Sequence, residues 1–136
     1  ECLTELTKAL EDYRDDLVVI VAGYTEPMKL FFESNPGLKS RFNTFIEFDD
    51  YSAEELVQIL VSMCKNNDYV LSETASKKIK ASLTEKVVEK DKNFANGRMV
   101  RNIYDDLIMN HAHRVINVIN ATREELSTIL AEDYSE

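Results

Sequence analysis

One segment restricts the possible folds more than any other, the unbroken apolar run from Leu17 to Ala22. Its length and its β-branched residues are typical of a strand. The run shows no alternation of apolar and polar residues, which indicates a strand that is covered on both faces. Such strands occur in parallel sheets that have helices on both sides. We therefore expect an α/β layer here, with the strand ending at Gly23.

The neighbouring residues supply only part of such a layer. A helical stretch with Leu3, Leu6 and Leu10 precedes the run, and a short helix from about Pro27 to Glu33 is expected after it. Thr44 to Phe48 indicates a second strand, so that strand, helix and strand make one βαβ unit. A strand covered on both faces needs neighbours on both sides, and this part of the chain offers one. We therefore expect an incomplete parallel sheet in a chain that belongs to a longer protein.

The rest of the sequence has a helical pattern. Ser52 and Glu55 form a capping-box signal, which Thr122 and Glu125 repeat. Between these signals, apolar spacing predicts helices that begin near Ser52, Ser72 and Gly97, the last two separated by the polar stretch 91–93. The second capping signal introduces a short turn or helix that carries Leu126, Ile129 and Leu130. The predicted fold class is thus α/β plus α, with an incomplete parallel sheet over residues 1–50 and an all-helical bundle over residues 51–136.

Charge and cysteine content exclude some functions. The chain has 25 Asp and Glu against 16 Lys and Arg, a net charge of −9. This sign repels phosphate backbones and anionic lipids, so we expect no direct binding to nucleic acid or membrane. Cys2 and Cys64 lie far apart without metal-ligand spacing, which is typical of a reduced, cytoplasmic protein. His111 and His113 are two residues apart on a predicted helix and cannot grip one ion, so no metal site is expected.

Several segments together resemble a known family. They are Val18 to Tyr24, Ser34 to Phe42, Ile46 to Phe48 and Asn96 to Asn102. In this order they resemble the AAA+ ATPases of the stage V sporulation protein K and red-type Rubisco activase (CbbX) group. The resemblance implies the second half of an AAA+ module, made of the C-terminal part of the α/β nucleotide-binding subdomain and the whole helical lid.

The resemblance also implies the cofactors and partners of the full-length protein. It would bind ATP and Mg²⁺ between subunits of a hexamer-like ring and use hydrolysis to remodel a protein partner. The present sequence contains neither a Gly-x-x-x-x-Gly-Lys phosphate loop nor an apolar strand ending in the acidic pair that holds Mg²⁺. We therefore expect the chain alone to be inactive and to bind no cofactor tightly. The alternative is a non-enzymatic acidic helical module that docks a protein partner.

By the resemblance, Arg41 matches the arginine finger, which reaches the nucleotide of the adjacent subunit, and Lys39 is a possible second cationic contact. The alternative for Arg41 is a surface ion pair with Asp49 or Asp50. Arg98 matches the sensor 2 arginine at the start of a lid helix, and Arg101, one turn on, is a possible helper. The alternative for these two residues is a solvated basic helix end.

Thr25 follows the predicted buried strand, where the family places sensor 1. There the resemblance implies that its hydroxyl aligns the attacking water, whereas the residues alone also allow Thr25 to cap the following helix.

The incomplete sheet also leads to an expectation about association with other chains. An unpaired strand edge attracts other chains, so the first 50 residues are expected to self-associate or to be poorly ordered.

Overall fold

The computed structural model describes residues 2–89 and 96–135. The chain divides into two compact units, Glu1–Asp49 and Asp50–Glu136. The polar stretch predicted at 91–93 lies outside the described residues.

The described part of the first unit, residues 2–49, contains three helices, α1 (Cys2–Asp12), α2 (Thr25–Glu33) and α3 (Pro36–Lys39). Its buried side chains are few. Phe32 is 6% exposed and packs edge-on against other phenylalanine rings, each with a centroid 5.3 Å from its own. Leu38 is also buried. The rings that pack against Phe32 are those of Phe31, Phe42 and Phe45. This aromatic cluster supplies most of the apolar packing of the unit.

The two strands predicted for the first unit do not form. Leu17–Ala22 and Thr44–Phe48 lie outside the helices and strands of the described chain. Val18, Ile20 and Phe48 are 85%, 88% and 91% exposed. The physical reason is that a strand is held by ladder hydrogen bonds to its neighbours, and a single βαβ unit supplies too few of them. The incomplete sheet that the sequence predicts is therefore realised as two unpaired segments.

The second unit is mostly helical, as predicted. Its elements are α4 (Ala53–Asn66), α5 (Glu73–Val88), α6 (Asn96–Val115), α7 (Arg123–Ser127) and a short 3-10 turn (Ala131–Asp133). Apolar side chains from α4, α5 and α6 form one core, together with residues that follow α7. The largest fully buried members of that core are Leu56, Leu60, Ile79, Leu83, Val100, Leu107 and Ile129.

Both predicted capping boxes are confirmed. At α4, the Glu55 amide donates to Ser52 Oγ at 3.2 Å and the Ser52 amide donates to Glu55 Oε2 at 2.9 Å. The same reciprocal pair links Thr122 and Glu125 at α7. These side chains satisfy amides that have no partner inside the helix, so the two sites fix where α4 and α7 begin.

A small parallel sheet in the second unit was not predicted. β1 (Val70–Leu71) pairs with β2 (Thr128–Ile129), with Val70 opposite Thr128. The sequence suggested that Ile129 continued a short helix after Thr122. That helix ends at Ser127, and the next two residues extend and pair with β1. Two-residue strands are too short to show a period of two, so the pattern of apolar residues does not reveal them.

Candidate functional site

The start of α6 is tied to the segment that precedes α4. The side-chain amide of Asn96 donates to Asp50 Oδ1 at 2.7 Å, and its oxygen accepts from the Tyr51 amide at 3.0 Å. Val100 and Ile103 are buried in the core and fix the rotation of the helix. The first turn of α6 therefore has a defined place and direction.

Arg98 and Arg101 lie on the exposed side of this helix start. Neither guanidinium makes a hydrogen bond or ion pair with another residue in the ranges 2–89 and 96–135. The first turn of a helix carries free amides and partial positive charge, which attract an anion and repel a cation. Arg98 lies in that first turn and Arg101 in the next one. Their positive charges do not stabilise this end of the helix, yet they add to its attraction for a phosphate group.

Arg41 lies in the first unit, just after α3. Its Nη2 is 2.6 Å from Glu11 Oε2, and its Nη1 donates to the Gly37 carbonyl at 2.7 Å. The carboxylate that Arg41 contacts is Glu11, whereas the alternative drawn from the sequence was a surface ion pair with Asp49 or Asp50. Glu11 is 68% exposed and Arg41 is 28% exposed, so solvent reaches the pair. Ion pairs open to solvent contribute about 0–1 kcal/mol.

The other two predicted site residues also lie in the first unit. Lys39 is the last residue of α3 and is exposed. Thr25 is the first residue of α2, but Tyr24 occupies the N-cap position and no side chain caps that helix. The alternative that Thr25 caps α2 is therefore wrong, and its predicted role as sensor 1 stays a prediction.

A buried polar cluster near the end of α6 was not predicted. It consists of His111, Arg114 and Asp133, of which His111 and Asp133 are 2% exposed. Arg114 donates to Asp133 in a bidentate pair, from Nε to Oδ1 at 2.8 Å and from Nη2 to Oδ2 at 2.9 Å. His111 and Arg114 are one helical turn apart and Asp133 is distant in sequence. The spacing of His111 and Arg114 indicates that they share one face of the helix, but nothing in the sequence identifies Asp133 as their partner.

The charges in this cluster stabilise each other. Burial alone would raise the pKa of Asp133, but hydrogen bonds from Arg114 and from the Leu130 amide outweigh it and lower that pKa. The pKa of Arg114 is raised chiefly by its hydrogen bond to Asp133. Both groups therefore stay charged at neutral pH. In the core of the second unit, burial raises the pKa of the Cys64 thiol to about 11.

Residues 2–89 and 96–135 contain no group of three or more His, Cys, Asp or Glu side chains placed to hold a metal ion. No helix in the same ranges is both long and apolar enough to cross a bilayer.

Comparison with known proteins places the second unit in a family. Residues 52–136 match the AAA lid domain family. The match begins at Ser52, the residue that caps α4. It includes the start of α6 and the buried cluster at its other end.

Three relatives illustrate the similarity of the whole chain. A CfxQ homolog of Galdieria sulphuraria is 39% identical over 98% of the chain and 44% of its own length. Stage V sporulation protein K of Bacillus subtilis (strain 168) is 37% identical over 99% of the chain and 42% of its own length. Protein CbbX of Cereibacter sphaeroides is 37% identical over 98% of the chain and 43% of its own length. The chain therefore spans less than half the length of these relatives.

Proposed function

Since this chain belongs to the AAA lid domain family, we propose that it forms the lid of an AAA+ ATPase together with the end of that enzyme's α/β subdomain. The whole protein would be cytoplasmic and bind Mg·ATP between neighbouring subunits of a hexamer-like ring. It would use hydrolysis to remodel a protein partner. The shared similarity to stage V sporulation protein K and CbbX supports this class of activity.

The observation that carries the proposal is the position of Arg98. It lies in the first turn of a 20-residue helix, exposed and without a partner among the described residues, beside amides that favour an anion. A γ-phosphate is the anion that this arrangement suits in an ATPase. We assign Arg98 as sensor 2, which contacts the nucleotide of its own subunit, and Arg101 as its helper.

Arg41 is assigned as the arginine finger, which acts on the nucleotide of the adjacent subunit. Its contact with Glu11 holds the guanidinium in place and is weak enough to be released. Lys39, two residues earlier, offers a second cation without the bidentate geometry of arginine. Thr25 is assigned to sensor 1, where its hydroxyl would help to align the attacking water.

The test uses the full-length protein and two pairs of variants. Arg41→Ala should lower kcat by about 10³- to 10⁵-fold, the usual value of a trans arginine, with nucleotide affinity nearly unchanged. Arg98→Ala should weaken ATP binding by about 10- to 100-fold, which corresponds to a lost charged hydrogen bond. Arg14→Ala and Arg123→Ala, which remove exposed arginines of the same two units, are the matched controls.

Mixing experiments separate action in cis from action in trans. Subunits with Arg41→Ala, mixed with subunits defective in the phosphate loop, should regain activity at the mixed interfaces. Co-assembled rings that regain nothing would contradict the assignment of Arg41. A whole protein that binds no nucleotide would instead favour an acidic helical interaction module. The chain alone should release no phosphate from Mg·ATP, and turnover at enzymatic rates would contradict the proposal.

A further inference from the structure

The hydrogen bonds of His111 determine its protonation state. Its Nε2 lies 2.9 Å from the Leu126 carbonyl oxygen, which can only accept, so Nε2 carries the proton. Its Nδ1 lies 3.0 Å from Nη2 of Arg114, which can only donate, so Nδ1 carries a lone pair. The imidazole is therefore neutral in this structure, and both of its nitrogens are engaged.

The same cluster fastens the segment after α7 to helix α6. Besides its pair with Asp133, Arg114 Nη2 donates to the Thr128 carbonyl at 3.0 Å. Asp133 Oδ2 in turn accepts from the Leu130 amide at 2.9 Å. We name His111, Arg114 and Asp133 the clasp, because their hydrogen bonds connect α6 to residues 126–133.

A second proton on His111 would conflict with this arrangement. It would turn the contact between Nδ1 and Arg114 into two donors facing each other at 3.0 Å. Asp133 Oδ2 lies farther away, at 3.7 Å, and already balances the charge of Arg114. The positive charges of His111 and Arg114 would then share the one carboxylate of Asp133, with His111 3% and Arg114 23% exposed. Buried charge without a partner is costly.

Among the described residues, no carboxylate other than Asp133 lies within 4 Å of the ring nitrogens of His111. Tyr69, just before β1, packs edge-on with its centroid 5.5 Å from that of His111 and brings no charge. Glu132 and Glu125 interact with Arg114 rather than with the imidazole, and the nearer of the two, Glu132, is 3.8 Å from Nε of Arg114. The buried face of His111 is therefore set by Arg114, Asp133 and Tyr69.

We propose that the clasp is a proton-sensitive device, in which protonation of His111 at Nδ1 releases the segment 126–134 from α6. Release would uncover Ile129 and Tyr134, which are 0% and 5% exposed in the closed form. The lid would then present an apolar surface at mildly acidic pH that it hides at neutral pH.

Hydrogen exchange on the 136-residue chain tests this between pH 7.5 and 5.0. The reporters are the Leu130 amide, which donates to Asp133, and the Ser72 amide, which donates to the Ile129 carbonyl. After correction for intrinsic exchange, their protection should fall by up to about tenfold per pH unit, the slope for uptake of one proton on opening. Amides inside α4 should keep their protection. Asp133 cannot cause the change, because its lowered pKa keeps it charged in this range.

Two variants on the same helix separate the clasp from general effects of pH. His111→Gln retains a donor for the Leu126 carbonyl but cannot be protonated, so the pH dependence should disappear. His113→Gln, the matched control, removes an exposed histidine and should leave the slope unchanged. A slope that survives in His111→Gln would overturn the proposal.

Nitrogen-15 spectra of the unmodified protein give a reading that needs no variant. We expect a ring that is neutral and protonated at Nε2 for as long as Leu130 stays protected, because opening can take up a proton only if the closed form lacks it. A ring that gains a proton without loss of that protection would overturn the proposal.

Discussion

Replacing Asp133 with asparagine tests how much the bidentate pair contributes to the stability of the lid. The substitution keeps the size of the side chain and an oxygen for the Leu130 amide, but it removes the negative charge. Arg114 would then lie 23% exposed without the carboxylate that accepts from its Nε and Nη2. The change therefore isolates the charge of Asp133 from its volume.

The magnitude follows from burial. Breaking a buried ion pair by removing one partner costs about 3–5 kcal/mol. Arg114 retains some solvent, and the exposed Glu132 lies 3.8 Å from its Nε as a partial substitute. We therefore expect Asp133→Asn to lower the free energy of unfolding by about 2–4 kcal/mol at pH 7.5, a large part of the usual 5–15 kcal/mol.

The dependence on pH has a definite sign. The pKa of Asp133 is lowered in the folded lid, below its ordinary value of 3.8. The stability that the ionised carboxylate contributes is therefore fully present above pH 3.8, and it is lost as the pH falls through the lowered pKa of the folded lid. The difference in free energy of unfolding between the wild-type protein and Asp133→Asn should become smaller below pH 3.8.

Urea unfolding followed by far-ultraviolet circular dichroism measures the free energy of unfolding of the wild-type protein and of Asp133→Asn. Glu132→Gln is the matched control, because its carboxylate is 67% exposed and its loss should cost at most about 1 kcal/mol. An Asp133→Asn variant that is no less stable than Glu132→Gln would refute the reasoning from burial.

Three more predictions concern the core, the cysteines and the unpaired segments. Leu107→Ala, at a fully buried position, should cost about 2–5 kcal/mol in the same urea assay, and a cost below 1 kcal/mol would contradict its place in the core. Cys64 should react with a thiol reagent at pH 8 far more slowly than exposed Cys2, because its thiol is buried and has a pKa of about 11; equal rates would contradict this. We expect the chain to self-associate in light scattering, and the Ile20→Lys/Phe48→Lys double variant should associate less, because exposed extended segments pair with other chains. Unchanged association would assign it to another surface.

Features that depend on neighbouring residues were predictable from the sequence. The capping boxes at Ser52 and Thr122 use side chains three positions apart, so the local sequence contains both partners. Helical spacing also predicts a helix that begins near Gly97, and α6 begins at Asn96. In the two capping boxes the interacting groups lie within one helical turn.

Features that depend on distant residues were not predictable. Leu17–Ala22 has the composition of a strand, but whether it forms one depends on partners elsewhere. The pair between Arg41 and Glu11 joins residues 30 positions apart, and the sequence pointed to other carboxylates. Asp133 meets Arg114 only after the chain has turned back through α7. The spacing of residues along the sequence contains no information on contacts between such distant residues.

The parallel pair of β1 and β2 also bears on the order of folding. It joins Val70 to Thr128, which are 58 positions apart, so its formation closes a loop that contains all of α5 and α6. The entropy lost on closing a loop grows with its length, and contacts between distant residues slow folding. We therefore expect α4, α5 and α6 to assemble first and β2 to dock last. A segment that docks late is also the first to detach when the native state fluctuates. We therefore expect detachment of β2 to be the local opening of the lid that costs the least free energy.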